Sequence, residues 1–410
     1  MRLTKYVFSM PFLLFSIKWK GLEATCMKND EYLSKQILTY LGNKRLLIND
    51  IKLAIEEIQE ELGNNKTKNL DLFSGSGIVA RMMKEYSSIL YANDLENYSK
   101  IINECYLSNE NEIDKDKLNE YYNEIINYSI KHKKEGVISK HYAPKDDDNI
   151  LKEERVFYTK ENANIIDSIR NAIDKVVKEE EYKKYFLAPL IIEASIHTNT
   201  AGVFKGFYKN KNTGIGTFGG TEQNALKRIK GKIELNLPIF SKHTCEYKVF
   251  KEDAVILSKE FKDLDIVYMD PPYNQHPYGS NYFMLNVILD NKKSKNISEV
   301  SGIPSDWNRS AFNKKIQRLT TLFLSIKALL NIFDEIKNDP DSYDFLDTRI
   351  KKEFEDKFNK RKVEQILIST PQEFELTISN VKEYIRVECA KNIEINNEKY
   401  KRKMRYMIIV

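Results

Sequence analysis

Cysteine is scarce in this chain. Its four cysteines, Cys26, Cys105, Cys245 and Cys389, lie far apart in a sequence of 410 residues. They form no Cys-x-x-Cys pair, and none has a neighbouring histidine at the spacing of zinc ligands. We therefore expect no structural metal, and a reducing compartment, the cytoplasm, as the location of the protein.

An apolar run long enough to cross a membrane is absent from the N-terminal region. The run Val7–Ile17 is too short to span a bilayer. Lys18 and Lys20 lie on the wrong side of it for a signal peptide. Met27 then opens an ordinary soluble sequence. We predict that residues 1–26 are an extension that is dispensable or precedes the true start, and that the protein has no membrane partner.

A large excess of one charge is also lacking, because the net charge is only +5. The basic residues are nevertheless concentrated. Residues 199–232 carry seven of them against the single acid Glu222, a net charge of +6, and such a patch attracts phosphates. A solvated loop and helix face is the alternative. The candidate phosphate-binding residues are Lys205, Lys209, Lys211, Lys227, Arg228 and Lys230.

Glycine is sparse as well, yet seven of the 15 glycines lie in residues 199–232. Aromatic residues alternate with them in the first part of this segment, at Phe204, Phe207, Tyr208 and Phe218. We predict from this composition a flexible surface that lies outside the core.

A glycine turn between two predicted strands is the first motif with chemical content. Asn69–Phe73 is predicted to be a buried strand, and Ser74–Gly77 the turn into a helix that ends near Tyr86. Ser88–Ala92 is predicted to be the next strand, with Asp94 just after its end. This order is typical of a nucleotide-binding βαβ unit.

The residues of this turn, Asp71-Leu-Phe-Ser-Gly-Ser-Gly77, indicate a cradle for a nucleoside-bearing cofactor. Gly75 and Gly77 would let the backbone approach a ligand that a Cβ would exclude. Asp71 is expected either to orient the loop or to contact the ligand's amino group. Asp94 lies at the sequence distance at which an acid reaches ribose hydroxyls. A tight turn without a ligand is the alternative.

The second motif, Asp270-Pro-Pro-Tyr273, follows the apolar strand predicted at Leu264–Met269. The exocyclic amine of adenine is a poor nucleophile, because its lone pair is delocalised into the ring. The carboxylate of Asp270 and the carbonyl of Pro271 can accept its two N–H bonds and expose that lone pair. Pro271 and Pro272 stiffen the loop, and Tyr273 can stack on a base that has left the helix. A rigid turn is the structural alternative.

Together the two motifs resemble those of the adenine-N6 DNA methyltransferases that carry the cofactor motif before the catalytic one. Tyr40-Leu-Gly-Asn-Lys-Arg45 is similar to that family's N-terminal cofactor motif, in which Lys44 would meet the carboxylate of S-adenosylmethionine. Three further segments resemble a branch of site-specific adenine methylases: Asn199-Thr-Ala-Gly-Val-Phe204, Tyr278-Gly-Ser-Asn-Tyr282 and Asp306-Trp-Asn-Arg-Ser310.

The resemblance implies an S-adenosylmethionine-dependent enzyme that methylates adenine in double-stranded DNA and needs no metal. It also implies a cognate restriction endonuclease that acts independently. Asp253 would be the acid beside the cofactor's adenine. The implied catalytic residues are Asp270, Pro271, Pro272 and Tyr273, and the implied cofactor-binding residues are Tyr40, Gly42, Asn43, Lys44, Asp71, Phe73, Gly75, Gly77, Asp94 and Asp253.

The implied fold is α/β, a Rossmann-like doubly wound sheet with a C-terminal antiparallel hairpin, in which an antiparallel strand is inserted into the sheet. Residues 27–97, 245–290 and 363–410 would form the catalytic domain, and residues 98–244 an inserted, largely helical DNA-recognition lobe. Residues 291–362 would be a helical insertion of unknown role. Further strands are predicted at Tyr247–Phe250 and Gln365–Ser369, and hairpin strands at Tyr384–Val387 and Met404–Val410.

Three other functions use related features. A cytosine-N4 DNA methyltransferase needs the same geometry, and an RNA adenine methyltransferase needs the same chemistry. A non-catalytic DNA-binding subunit that kept the fold is the third alternative. Cytosine-C5 methylation is excluded, because it requires a nucleophilic cysteine, normally after proline, and none of the four cysteines follows one.

Overall fold

The computed structural model describes residues 31–35, 38–220, 225–258, 260–261, 263–270, 277–309, 393–397 and 400–409. The predictions for residues 1–26, Pro271–Tyr273, Gln365–Ser369 and Tyr384–Val387, and for the helical segment 310–362, lie outside these residues. No helix among the described residues is long and apolar enough to cross a membrane.

Six strands in the described part of the chain form one sheet in the order β3-β2-β1-β4-β6-β5. The first five strands in this order, β3, β2, β1, β4 and β6, are parallel to one another, and β5 pairs antiparallel with β6. The strands are β1 (Thr67–Asp71), β2 (Ser87–Asp94), β3 (Glu246–Lys251), β4 (Asp263–Met269), β5 (Ile393–Asn397) and β6 (Tyr400–Ile409).

Twelve helices are found in the described residues. They are α1 (Glu31–Ser34), α2 (Ile48–Leu62), α3 (Ile78–Met83), α4 (Asn97–Tyr106), α5 (Lys115–Lys131), α6 (Val137–His141), α7 (Lys160–Val176), α8 (Glu180–Ile196), α9 (Leu226–Ile229), α10 (Ala254–Leu257), α11 (Tyr278–Asn281) and α12 (Phe283–Asp290).

The C-terminal hairpin is confirmed, and its antiparallel strand is β5. β6 lies beside β4 and runs parallel to it from Asp263 opposite Lys403 to Met269 opposite Ile409. β5 folds back on β6 through a tight connection, and such a connection joins only antiparallel strands. Among the strands that the structure describes, the antiparallel β5 is the last one on this side of the sheet.

Helices cover both faces of the sheet. On one face α2 buries Ile51, Ile55 and Ile58, whose spacing of three and four residues places them on one side of the helix. The helix ends at Gly63, which has a φ of 63° and a backbone N–H that donates to the carbonyls of Gln59 and Glu60. On the other face α10 packs against β1 and β4.

The helical region after β2 has its own core, formed mainly by α4, α5, α7, α8 and α12. Phe204 and Phe218 are buried, and so is Asn199, which donates to the carbonyls of Val156 and Thr217. The prediction that this glycine-rich segment lies outside the core is thus wrong for these residues. Its aromatic side chains pack inward, while Lys205, Lys209 and Lys211 are exposed.

The sheet brings the predicted acids to a single edge. Asp71 is the last residue of β1, Asp94 is the last residue of β2, and Asp270 follows the last residue of β4. Because these strands are adjacent and parallel, their carboxyl ends lie side by side, where open α/β sheets bind ligands.

Candidate active site

An open cleft lies at this edge, between the carboxyl ends of the strands and the segment Tyr40–Lys44. Nine of the ten predicted cofactor-binding residues line it, and Gly77 does not. Asp270 lines it as well. Pro271, Pro272 and Tyr273 lie outside the described residues.

The segment Tyr40–Arg45 is held at the cleft by residues far along the chain. Both backbone groups of Leu41 are engaged: its N–H donates to the Tyr282 hydroxyl at 2.6 Å, and its carbonyl accepts from the Tyr278 hydroxyl at 3.2 Å. The ring of Tyr40 stacks on Tyr278 and Tyr282, with centroid distances of 5.0 and 4.5 Å. We call the two hydrogen bonds from Tyr278 and Tyr282 to the backbone of Leu41 the tyrosine clamp. It gives each tyrosine of the segment Tyr278-Gly-Ser-Asn-Tyr282 a structural role.

The glycines of the turn have different roles. Both have positive φ, 49° at Gly75 and 78° at Gly77, which disfavours other residues. A Cβ at Gly75 would lie 3.0 Å from the Tyr40 ring, on the cleft side. A Cβ at Gly77 would lie 2.7 Å from Oδ1 of Asn103, inside the protein. Gly75 therefore leaves room at the cleft, whereas Gly77 lets α4 pack against the start of α3.

Asp94 is fixed by the backbone. One carboxylate oxygen accepts from the N–H of Gly75 at 2.8 Å, and the other accepts from the N–H of Glu96 at 2.9 Å. Burial raises the pKa of Asp94, and these backbone hydrogen bonds oppose the rise. The backbone of Leu95 and the side chain of Ser99 also hydrogen-bond this carboxylate and lower its pKa.

Asp71 is a deeply buried acid of the cleft. Its side chain is 1% exposed, and neither carboxylate oxygen forms a hydrogen bond of good geometry with a described group. Burial, followed by the charges of Asp270 and Asp94, raises the pKa of Asp71 well above its usual value, and the N–H groups of Phe73 and Ala80 oppose this only weakly. A buried acid with unsatisfied oxygens and two acidic neighbours favours a positively charged ligand.

Asp270 forms an ion pair with Lys44. Nζ of Lys44 lies 2.9 Å from Oδ2 of Asp270, and the two side chains are 6% and 18% exposed. Burial raises the pKa of Asp270 to about 6, although Lys44 acts in the opposite direction. The resemblance assigned Lys44 to the cofactor's carboxylate, but here its ammonium group is paired with the predicted catalytic acid.

Asp253 lines the cleft at its edge and also begins α10. Its side chain accepts from the N–H of Ile256 at 3.3 Å, and its carbonyl accepts from the N–H of Leu257. This is the usual hydrogen bonding of a helix N-cap, so the residue has a structural role whatever it binds.

The predicted phosphate-binding residues divide into two groups. Arg228 directs its guanidinium inward and donates to the carbonyls of Ile196, Thr198 and Thr200, just after α8. Its donors are therefore engaged in holding the chain that leads into the glycine-rich segment. The others are exposed lysines: Lys205, Lys209, Lys211, Lys227 and Lys230.

Glu96 is a lining residue that the motifs did not reveal. It lies two residues after Asp94 and is 3% exposed. Its Oε2 accepts from Nδ2 of Asn286 at 2.8 Å and from Nδ2 of Asn308 at 3.3 Å. The only sequence signal was a second acid so close to the ribose-binding position.

Comparisons with known proteins agree with this geometry. Residues 40–301 match the model of the D12 class N6 adenine-specific DNA methyltransferase family. The chain belongs to this family. Type II methyltransferase M.CviAII of Paramecium bursaria Chlorella virus 1 is 31% identical over 67% of this chain and 75% of its own length.

Two further relatives have similar identity. Type II methyltransferase M.NlaIII of Neisseria lactamica is 31% identical over 61% of this chain and 69% of its own length. Type II methyltransferase M.FokI of Planomicrobium okeanokoites is 30% identical over 61% of this chain and 36% of its own length. No solved structure is a significant match.

The chain is therefore an adenine-N6 DNA methyltransferase, and its family uses S-adenosylmethionine. The cleft of this methyltransferase fits such a cofactor. Six carboxylates and one lysine line its described part, which suits a ligand with a positively charged sulfonium and ammonium group. No group of three or more potential metal-ligating acids, cysteines or histidines occurs in the described residues.

Replacing Asp71 with asparagine should stabilise the unliganded protein at high pH. Because its pKa is raised in the folded state, wild type loses stability as the pH rises above the unfolded carboxyl value of about 3.9. The amide does not titrate, so thermal melts should show a gain in melting temperature for Asp71→Asn that is larger at pH 8 than at pH 5. An equal gain at both pH values would contradict the raised pKa.

Proposed function

We propose that this methyltransferase transfers the methyl group of S-adenosylmethionine directly to N6 of an adenine that has been turned out of duplex DNA. The observation that carries the proposal is the placement of Asp71, Asp94 and Asp270 at neighbouring strand ends in one cleft. Cofactor and amine would then lie side by side, as a direct transfer requires.

Asp270 would hold the amine. Its carboxylate accepts an N–H bond of N6, which draws the lone pair out of conjugation with the ring. When bound, S-adenosylmethionine supplies an electrophilic methyl carbon on a positively charged sulfur, and that carbon bonds to N6 as its bond to sulfur breaks. N6 must afterwards lose a proton, and a carboxylate with a pKa of about 6 is able to receive it.

Lys44 would keep Asp270 ready for this task. A buried carboxylate tends to become protonated. In the protonated form it is a weaker acceptor for the N–H group of N6, and it cannot receive the proton that N6 loses. The ammonium group at 2.9 Å favours the ionised form and orients Oδ2. Lys44 is thus proposed as a partner of the catalytic acid, with contact to the cofactor's carboxylate as the alternative.

The exposed lysines of the helical region would contact the DNA backbone. Lys227 and Lys230 flank the end of α9, and Lys205, Lys209 and Lys211 lie on the glycine-rich segment. Phosphate contacts of this kind position the duplex without reading its sequence. Arg228 is left out, because its guanidinium is bonded to three carbonyls.

The biological role would be modification of a specific DNA site. The relatives are named type II methyltransferases, and others, from Streptococcus sanguinis and Lactococcus lactis subsp. lactis, are named modification methylases. These names support a place in a restriction-modification system, with a restriction endonuclease that acts on the same site independently.

Asp270→Asn should lower kcat for adenine methylation by at least about 100-fold, since the amide is a weaker acceptor and cannot take up the proton. The dissociation constant for S-adenosylmethionine should change little. Methyl incorporation into unmethylated DNA and calorimetric binding measure the two effects. Because the substitution leaves Lys44 unpaired, a thermal melt must show that the variant is folded. Retained activity in a folded variant would refute the role of Asp270.

Lys44→Met should move the acidic limb of the pH profile of kcat/KM to higher pH. In wild type this limb should lie near pH 6, the pKa of Asp270, because only the ionised carboxylate is active. Removing the positive charge raises that pKa further. Lys44→Arg keeps the charge and serves as the control. A limb that stays in place while cofactor affinity falls would assign Lys44 to the cofactor instead.

Lys227→Glu with Lys230→Glu should weaken DNA binding and reduce the slope of log affinity against log salt by about two. The matched control is Lys175→Glu with Lys178→Glu, two exposed lysines at the other end of α7. The charge of Lys230 lowers the pKa of Asp147, which accepts a hydrogen bond from the N–H of Lys160 at the start of α7. Lys230 therefore lies near the start of α7, and the control pair lies at its end, roughly 23 Å of helix away. An equal effect of both pairs would refute the assignment of this surface.

A further inference from the structure

Glu96 uses only one of its two carboxylate oxygens within the described protein. Oε2 accepts from Asn286 on α12 and from Asn308 in the segment after it. Oε1 has no hydrogen-bond partner among the described residues, although Glu96 is only 3% exposed. Glu96 lines the cleft together with Gly279, beside which Oε1 lies, so this acceptor is located at the wall of the ligand space.

Gly279 brings the opposite wall close to this acid. A Cβ at position 279 would lie 2.3 Å from the carbonyl oxygen of Asn308, 2.9 Å from Oε1 of Glu96 and 3.0 Å from the ring of Trp307. Any side chain there would push the segment around Asn308 away from Glu96. The glycine therefore lets the two segments that resemble those of site-specific adenine methylases meet at the second acid of the cleft.

Asp94 and Glu96 form one unit. The N–H of Glu96 donates to Asp94, and the backbone of Leu95 between them accepts from Asn308 at 3.3 Å. A ribose has two adjacent hydroxyl groups, each of which needs an acceptor when it is removed from water. Two acids two residues apart, both facing one cleft, match that requirement.

We propose that Glu96 is a second ribose-binding acid of the cofactor site, and that its Oε1 accepts a hydrogen bond from one of the two ribose hydroxyls. The proposal rests on the proposed function, since it requires a nucleoside cofactor in this cleft. It extends that function, because the same carboxylate holds Asn286 and Asn308 through Oε2. Ribose binding is thereby connected to the segment that follows the catalytic loop.

The charge of Glu96 makes this contact dependent on pH. Burial and the charge of Asp94 raise the pKa of Glu96 to about 7, while Asn286, Asn308 and Lys251 act in the opposite direction. A hydroxyl donor favours the ionised form, so the affinity for the cofactor should increase as the pH rises through 7. Other charged or titratable groups that face Glu96 or line the same cleft are Asp94, Tyr98, Lys251, Asp71, Asp270, Lys44, Glu252, Asp253, Tyr40 and Tyr278.

The test removes either the carboxylate of Glu96 or one ribose hydroxyl of the ligand, and it compares the effects on the dissociation constant. The ligands are S-adenosylhomocysteine and its 2′-deoxy and 3′-deoxy ribose analogues, and their dissociation constants are measured by calorimetry with the full chain. Wild type should bind the complete ribose more tightly than at least one analogue. Glu96→Gln should reduce that preference by about tenfold or more, since a charged acceptor is replaced by a neutral one. The glutamine can still accept from Asn286 and Asn308, so folding is retained.

Asn308→Ala is the matched control. It removes one donor to Oε2 but leaves Oε1 in place, so the preference for the complete ribose should persist. If Glu96→Gln keeps the preference of wild type for both analogues, Glu96 does not bind the ribose and the inference is overturned. If wild type fails to bind S-adenosylhomocysteine at all, the proposed function falls as well, so the two failures can be told apart.

The pH dependence gives a second, independent result. Because Asp270 titrates near pH 6, the wild-type curve alone does not identify the group responsible. The difference between the curves of wild type and Glu96→Gln isolates Glu96. It should show an affinity gain in wild type of several-fold between pH 6 and pH 8 that the variant lacks, and coincident curves would contradict the proposal.

Discussion

The row of carboxylates at the carboxyl edge of β2, β1 and β4 is the constraint on which the site depends. Adjacent strands are only about 4.8 Å apart, so Asp94, Asp71 and Asp270 cannot avoid one another. Burial raises the pKa of all three. The protein offsets part of the repulsion, with backbone N–H groups at Asp94 and with Lys44 at Asp270. Asp71, between them, has no such partner for either carboxylate oxygen among the described residues.

Much of this site could be predicted from sequence because its parts are local. The strand, the glycine turn and the acid at the end of the next strand follow one another within about thirty residues. This order is compatible with only a few local structures, among them the nucleotide-binding βαβ unit. Strand β4 and Asp270 were predictable for the same reason. Such motifs predict which strand ends at each residue, and the parallel sheet then brings these strand ends together.

The remaining features depend on contacts between distant parts of the chain. The tyrosine clamp joins Leu41 to residues more than 230 positions later, and nothing local to either segment indicates the partner. Arg228 has the composition of a phosphate-binding residue, yet three carbonyls left unpaired after α8 attract its guanidinium. Phe204 and Phe218 lie among glycines and lysines, which suggested a surface, but burial of aromatic area decided their place.

The segment from Tyr278 to Asp290 connects the two halves of the enzyme. At its beginning the tyrosine clamp holds the segment that carries Lys44, and the carbonyl of Asn281 accepts from the N–H of Phe204 in the glycine-rich segment. At its end Arg170 of α7 donates to the carbonyls of Ile288 and Leu289. The helical region and the segment that carries Lys44 are thus both hydrogen-bonded to one short stretch of chain.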